Sequence, residues 1–144
     1  MPTWDAEPGV VRLPDGRTVR GTGRRVARDD ASPPDHAVYL LARDPQETGW
    51  PNRCVRWRDF SLPASTEDAL DALRDAHARA ADERVEIACH GGTGRTGTAL
   101  AVLAVMSGVP AEDAVGWVRS AYRPRAVETR RQREWIRAVA ARLT

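Results

Sequence analysis

Lysine is absent: all 22 basic residues are arginine. No G-x-x-x-x-G-K phosphate loop can therefore be completed anywhere in the chain. Alanine is abundant beside the arginine, and GC-rich codon usage explains the pair more simply than a function does. Only two cysteines occur, Cys54 and Cys89, too few for a disulfide framework, and both are expected as free thiols. No apolar run reaches the roughly 18 residues of a membrane helix. The opening MPTWDAEPGV has neither the basic n-region nor the apolar core of a signal peptide. A cytoplasmic protein without membrane association is expected. Charge of one sign is not in excess either. The formal net charge is +2, with arginine mixed among Asp and Glu, which argues against a nucleic-acid partner and leaves a mild attraction for anions. Internal repeats and low-complexity tracts are missing too. What remains is ordinary for a globular chain: 144 residues, 42% hydrophobic and 29% charged, enough to bury a core as one domain over 1–144.

GVVRLPDGRTVRGTGRRV (9–26) holds two β-prone runs about a turn containing Pro14 and Gly16, and predicts a hairpin within an N-terminal β extension, residues 1–35. DDASPPD (29–35) breaks the pattern before a core over 36–144. HAVYLLA (36–42) is a continuous apolar strand of the kind expected in a sheet covered on both faces, and RCVRW (53–57) is a second strand. Ser65 opens the helix STEDALDALRDAHARAA, where Asp68 completes a capping-box spacing and Leu70, Leu73 and His77 recur at helical intervals. RVEIA (84–88) is another strand. TGTALAVLAVMS (96–107) is apolar nearly all round, which predicts a central buried helix stopping at Gly108. Pro110 suits the first position of a helix over 110–122, and ETRRQREWIRAVAARL (128–143) puts Trp135, Ile136, Val139 and Leu143 on one side of a last helix. Strands alternating with helices predict an α/β fold with a central, mainly parallel sheet flanked by helices.

Between the strand at 84–88 and the buried helix lies CHGGTGRT (89–96). Gly92, Gly94 and Gly97 satisfy G-x-G-x-x-G, and Glu112 lies about twenty residues on, but it opens a helix instead of ending a strand, so the dinucleotide reading lacks its context. A strand-to-helix turn of this length aims successive backbone N–H groups inward at a helix N-terminus, a cradle for a tetrahedral oxyanion. His90, Gly91, Gly92, Thr93 and Gly94 would supply those amides. Arg95 can offer a planar pair of donors that lysine could not. The amides, the helix dipole and the guanidinium together favour a Cys89 thiolate.

CHGGTGRT fits C-x5-R-S/T and so resembles the signature loop of the protein tyrosine phosphatase superfamily. The resemblance implies that Cys89 attacks phosphorus to form a phosphocysteine, that Arg95 binds the phosphoryl oxygens, and that Thr96 stabilises the departing thiolate. WRDFSLP (57–63) is similar to the family's mobile W-P-D-F-G-x-P loop, with Arg58 for proline and Ser61 for glycine, and makes Asp59 the general acid, 30 positions before Cys89. VETRRQREWI resembles the downstream glutamine motif. Gln132 aligns with its second glutamine, which positions the hydrolytic water, and Glu128 stands in place of the first. Ala88 replaces the histidine that usually precedes the nucleophile. The expected protein is a compact tyrosine or dual-specificity phosphatase acting on a phosphorylated protein or a small phosphomonoester, with no cofactor and no metal.

Other residues keep two readings. Trp57, Phe60 and Tyr122 suit either the pocket rim or the core. Arg123 and Arg125 either pair with carboxylates of neighbouring helices or recruit an anionic substrate. Cys54 is either a packing residue or a redox partner of Cys89. His36 and His77 lack partners at metal-ligand spacing, and the ring of His90 is expected to face outward. The other classes are a silent phospho-binding module, which has no need of an acid, and rhodanese-like or arsenate-reducing enzymes, of which the latter require further cysteines.

Overall fold

The computed structural model describes residues 3–25 and 32–143. Val26 of the hairpin segment and residues 29–31 of the segment that breaks the pattern lie outside them. The elements are β1 (Val10–Arg12), β2 (Thr18–Gly23), β3 (His36–Leu41), β4 (Asn52–Arg56), α1 (Thr66–Arg79), β5 (Val85–Cys89), α2 (Gly94–Met106), α3 (Ala114–Ala121) and α4 (Arg130–Ala140). They build an α/β fold on one five-stranded sheet of order β1-β2-β5-β3-β4, antiparallel at β1–β2 and parallel elsewhere.

The expected hairpin is present. Gly16 takes the positive φ of +93° that its turn demands, and its N–H donates to the Leu13 carbonyl at 2.9 Å. Hydrophobic pattern did not show where the hairpin goes. β2 is an inner strand, paired parallel with β5 from Val19 opposite Val85 to Gly23 opposite Cys89.

Alternation along β5 divides the sheet's two faces. Val85, Ile87 and Cys89 join the main core with α1, α2 and the apolar sides of α3 and α4. Ala88 faces the other way, into a small cluster with Ala37, Tyr39, Trp50 and Cys54. On that second face the buried Arg20 gives two hydrogen bonds to Glu86, at 3.0 and 2.7 Å, and another to Glu7 at 2.7 Å. The Arg20 guanidinium also lies 3.9 Å over the Trp4 ring, whose indole N–H donates to the Val85 carbonyl. The segment before the hairpin thus covers the middle of the sheet.

Ser65 caps α1 by accepting from the Asp68 amide, as its spacing predicts. α2 is buried continuously from Gly94 to Ala104, which its lack of a polar face requires, and it starts two residues before the expected Thr96. Pro110 does not begin α3. Its ψ of 145° is extended, a single 3-10 turn over Ala111–Asp113 follows, and α3 starts at Ala114. α4 is shorter than 128–143 and opens with a reciprocal capping box between Thr129 and Gln132. Its Trp135 meets Trp57 edge-on, ring centroids 5.4 Å apart. Among the described residues no helix is long and apolar enough to cross a membrane.

His36 opens β3 with its ring buried and neither nitrogen hydrogen-bonded. Burial, then repulsion from Arg79, outweighs the attraction of Asp75, whose carboxylate lies 3.8 Å away, and holds the imidazole pKa below its ordinary 6.5. The unfolded chain therefore binds the proton more readily than the native one. Its contribution is complete above the unfolded value and is lost as pH falls through and below it. Thermal unfolding should show the melting temperature dropping between pH 7 and pH 5, and His36→Leu should flatten that drop.

Candidate active site

The site begins where β5 runs out of strand partners. The β2–β5 ladder continues past its last pair, with the Arg24 amide donating to the Cys89 carbonyl at 2.9 Å and the Arg25 amide to the His90 carbonyl at 3.1 Å. The two backbones then approach so closely that only glycine fits. A Cβ on Gly23 would lie 2.5 Å from the Gly91 carbonyl carbon and 2.8 Å from the Gly92 nitrogen. Gly92 itself has φ +80°. With β2 as its floor, the loop curls back over the cysteine. The Gly92 N–H donates to Cys89 Sγ at 3.2 Å and the Thr96 hydroxyl donates to it at 3.0 Å.

α2 is left open toward this sulfur. Its N-cap residue, Thr93, makes no side-chain capping hydrogen bond, and the first turn contributes no acidic residue of its own, the Glu128 carboxylate packing against Gly94 from outside. α1 and α4, by contrast, each have one first-turn amide, those of Asp68 and Gln132, taken up by the side chains of Ser65 and Thr129. The positive end of α2 is where an anion gains most. Arg95, in the same turn, is only 4% exposed. Its Nη1 donates to the Trp57 carbonyl at 2.9 Å, while its Nε is buried with no hydrogen-bond partner.

Trp57 leads the loop that carries Asp59. The loop closes on itself through the Trp57–Pro63 bridge and a 2.8 Å bond from the Trp57 indole to the Ser61 carbonyl. Phe60 takes a left-handed φ of +58°, and its amide donates to Asp59 Oδ1 at 3.0 Å. Asp59 Oδ1 lies 3.6 Å from Arg95 Nε, with the carboxylate half exposed. Gln132 supports this loop from α4. Its Nε2 donates to the Ser61 carbonyl at 3.1 Å, and its Oε1 accepts from the amides of Glu128 and Thr129.

The structure therefore brings Cys89, Arg95, Thr96 and Asp59 together, with the loop residues His90, Gly91, Gly92, Thr93 and Gly94 around the sulfur. The His90 ring is exposed. Gln132 is completely buried. Of the three aromatic rim candidates only Phe60 is exposed, since Trp57 is sealed in the core and Tyr122 reaches the underside of the loop to donate its hydroxyl to the Gly92 carbonyl. Arg123 pairs with no carboxylate in the described structure. It donates to the Gly91 carbonyl and Thr93 Oγ1. Cys54 is no redox partner. It lies on β4, two strands from Cys89 and on the other face of the sheet, about 10 Å away by strand spacing and beyond disulfide reach. Sequence reasoning missed Gly21 and Gly23, although G-T-G at the end of a β-prone run was a readable sign of close backbone approach, and it named Tyr122 and Arg123 without their bonds to the loop.

A family model of the protein-tyrosine phosphatases matches residues 37–142. The chain belongs to the protein-tyrosine phosphatase family. Among solved structures it resembles Tk-PTP in its active form, with a TM-score of 0.72, 29% identity, and coverage of 95% of this chain and 99% of that one. Kinase associated phosphatase, in a form carrying serine for its catalytic-site cysteine, shares the fold at a TM-score of 0.70 and 14% identity over 96% of this chain and 98% of that one. Two uncharacterized proteins of Methanocaldococcus jannaschii are 35% and 34% identical over 88 residues, 60% of this chain in each case. Those stretches span 57% and 53% of the relatives, so the match covers little more than half their length. The tyrosine-phosphatase family model begins only at β3, yet in this member the floor of the loop is β2.

No group of three or more His, Cys, Asp or Glu side chains among the described residues could hold a metal ion. The glycine at 23 should be indispensable to the loop. Gly23→Ala forces backbone against backbone and should destabilise the protein by about 1–3 kcal/mol. Gly116→Ala, which meets nothing within 4 Å, should cost nothing in the same thermal unfolding measurement.

Proposed function

We propose that this chain is a cysteine-dependent phosphomonoester hydrolase of the tyrosine or dual-specificity type, working through a phosphocysteine. The observation that carries the reading is the buried Arg95 Nε without a hydrogen-bond partner, in the same turn as the uncapped amides of α2 and beside the loop that holds Cys89. A buried donor left unsatisfied is costly, and a tetrahedral dianion supplies the missing acceptors. In the first step Cys89 Sγ attacks phosphorus and the P–O ester bond breaks, with the equatorial oxygens held by the loop amides and by Arg95. Asp59 gives its proton to the leaving oxygen. Water then attacks the phosphocysteine, Asp59 takes its proton, the S–P bond breaks, and the Thr96 hydroxyl donates to the departing thiolate. The bond from Arg95 to the Trp57 carbonyl ties the acid's loop to the arginine that grips the phosphate, so binding and protonation share one side chain.

Gln132 is proposed to act in water positioning by the family's pattern. Its bonds to Ser61 and to the amides of residues 128 and 129 support a second duty, holding the acid loop closed. The exposed Phe60 beside Asp59 offers apolar surface to an aryl phosphate, which favours phosphotyrosine on a protein or a small aryl ester over phosphoserine. Residues 1–35 and 36–144 are read as one phosphatase-like domain working in the cytoplasm, where both cysteines stay reduced. An arsenate-reductase reading is disfavoured by the position of Cys54, which cannot relay electrons to Cys89.

Hydrolysis of p-nitrophenyl phosphate with EDTA present tests the reading. Cys89→Ser should abolish turnover, and Asp59→Asn should lower kcat by about 10²–10⁴-fold, the usual worth of a general acid. Full activity in Cys89→Ser, or binding of phosphate by the wild type without any turnover, would overturn it.

A further inference from the structure

Tyr122 and Arg123 follow α3 and contribute no reacting atom, yet both bond to the loop over Cys89. Arg123 Nη1 donates to the Gly91 carbonyl at 3.0 Å and to Thr93 Oγ1 at 3.1 Å, and the Tyr122 hydroxyl donates to the Gly92 carbonyl at 2.6 Å. In a trans peptide the C=O and the following N–H point in opposite directions. Pulling the Gly91 carbonyl outward therefore turns the Gly92 N–H inward, and that N–H is the one that meets Cys89 Sγ at 3.2 Å. Pulling the Gly92 carbonyl toward Tyr122 likewise turns the Thr93 N–H away from the tyrosine. Both peptide units are flanked by glycine, which resists rotation least of all residues. Something other than local sterics must fix them.

The tyrosine is itself fixed. A Cβ on Gly21 of β2 would lie 2.8 Å from its ring, so the ring is seated where only glycine leaves room. The Arg123 guanidinium lies 5.0 Å from the centroid of the same ring. Burial pushes the pKa of the phenol well above the ordinary tyrosine value, so the hydroxyl stays a donor at every working pH.

We propose that Tyr122 and Arg123 are positioning residues that hold the Gly91 and Gly92 peptide units with carbonyls outward and amides toward the nucleophile, setting the loop before any anion arrives. Arg123 acts on the amide that meets the sulfur, and Tyr122 on the next amide, which serves the anion. The inference rests on the phosphatase reading for its meaning, but two of its readouts need no turnover: alkylation of Cys89 by iodoacetamide across pH, and binding of orthovanadate.

Tyr122→Phe keeps the ring in its seat, so its melting temperature should stay near that of the wild type. Its vanadate affinity should fall about tenfold, a loss of one good hydrogen bond to the anion, and kcat/KM for p-nitrophenyl phosphate should fall by a similar factor. Arg123→Met should be alkylated several-fold more slowly than the wild type. Arg123→Lys keeps the charge on a shorter side chain that falls short of Nη1, the nitrogen that makes both bonds, and should behave like Arg123→Met. If the lysine variant restores the wild-type alkylation profile, charge and not peptide orientation is responsible, and the proposal falls. It falls equally if Tyr122→Phe and Arg123→Met both match the wild type in alkylation and vanadate binding. A wild type that turns over no ester while these two readouts shift as described would refute the phosphatase reading and leave the positioning role standing.

Discussion

A charged guanidinium almost wholly buried, with a nitrogen inside that lacks a hydrogen bond, is the constraint around which this molecule is arranged. Arg95 can be buried at 4% exposure because Trp57 offers it a carbonyl and Asp59 a carboxylate at 3.6 Å. Neither relieves Nε. Burying charge is tolerable only when it is nearly paired, and the shortfall here lies in the first turn of α2, whose N-cap makes no side-chain hydrogen bond. Everything that fixes Arg95 also fixes the acid's loop, since the carbonyl of Trp57 and the side chain of Asp59 both answer to it. Gln132 holds the far end of that loop through Ser61.

Around this centre the structure substitutes backbone proximity for side-chain chemistry. Gly23 lies against Gly91 and Gly92, Gly21 receives Tyr122, and Gly94 leaves no room for a Cβ beside Glu128. At Gly97, Ala126 closes the same kind of contact from the loop after α3. Arg119 holds that loop down by donating to the carbonyls of Ala126 and Val127, the latter at a left-handed φ of +67°. The loop over Cys89 is thus pressed between β2 on one side and the 122–128 segment on the other.

Local signals in the sequence were the legible ones. The C-x5-R-T spacing lies within a single turn from strand to helix, so Cys89, Arg95 and Thr96 could be placed together without knowing the fold. The α/β alternation was readable because each strand is a short apolar run and each helix has a face or, in α2, none. Asp59 could be nominated because the words around it are distinctive. Long-range facts could not be read. Nothing in GVVRLPDGRTVRGTG says that its second half will insert beside β5 rather than lie at an edge. Trp57 suited a pocket rim and the core equally, and only its burial and packing on Trp135 show it to be core. Tyr122 and Arg123 were visible as residues, but the carbonyls they hold belong to a segment some thirty positions away.

The insertion of β2 next to β5 also ties the shape of the Cys89 loop to assembly. The two strands are joined through more than sixty intervening residues, and closing such a contact is entropically slow compared with forming a helix. A chain that has collapsed, with α1 and α2 formed and β3, β4 and β5 paired, would still lack the floor on which the cysteine loop is shaped. The shape of the cysteine loop is therefore acquired only when that non-local strand pairing forms.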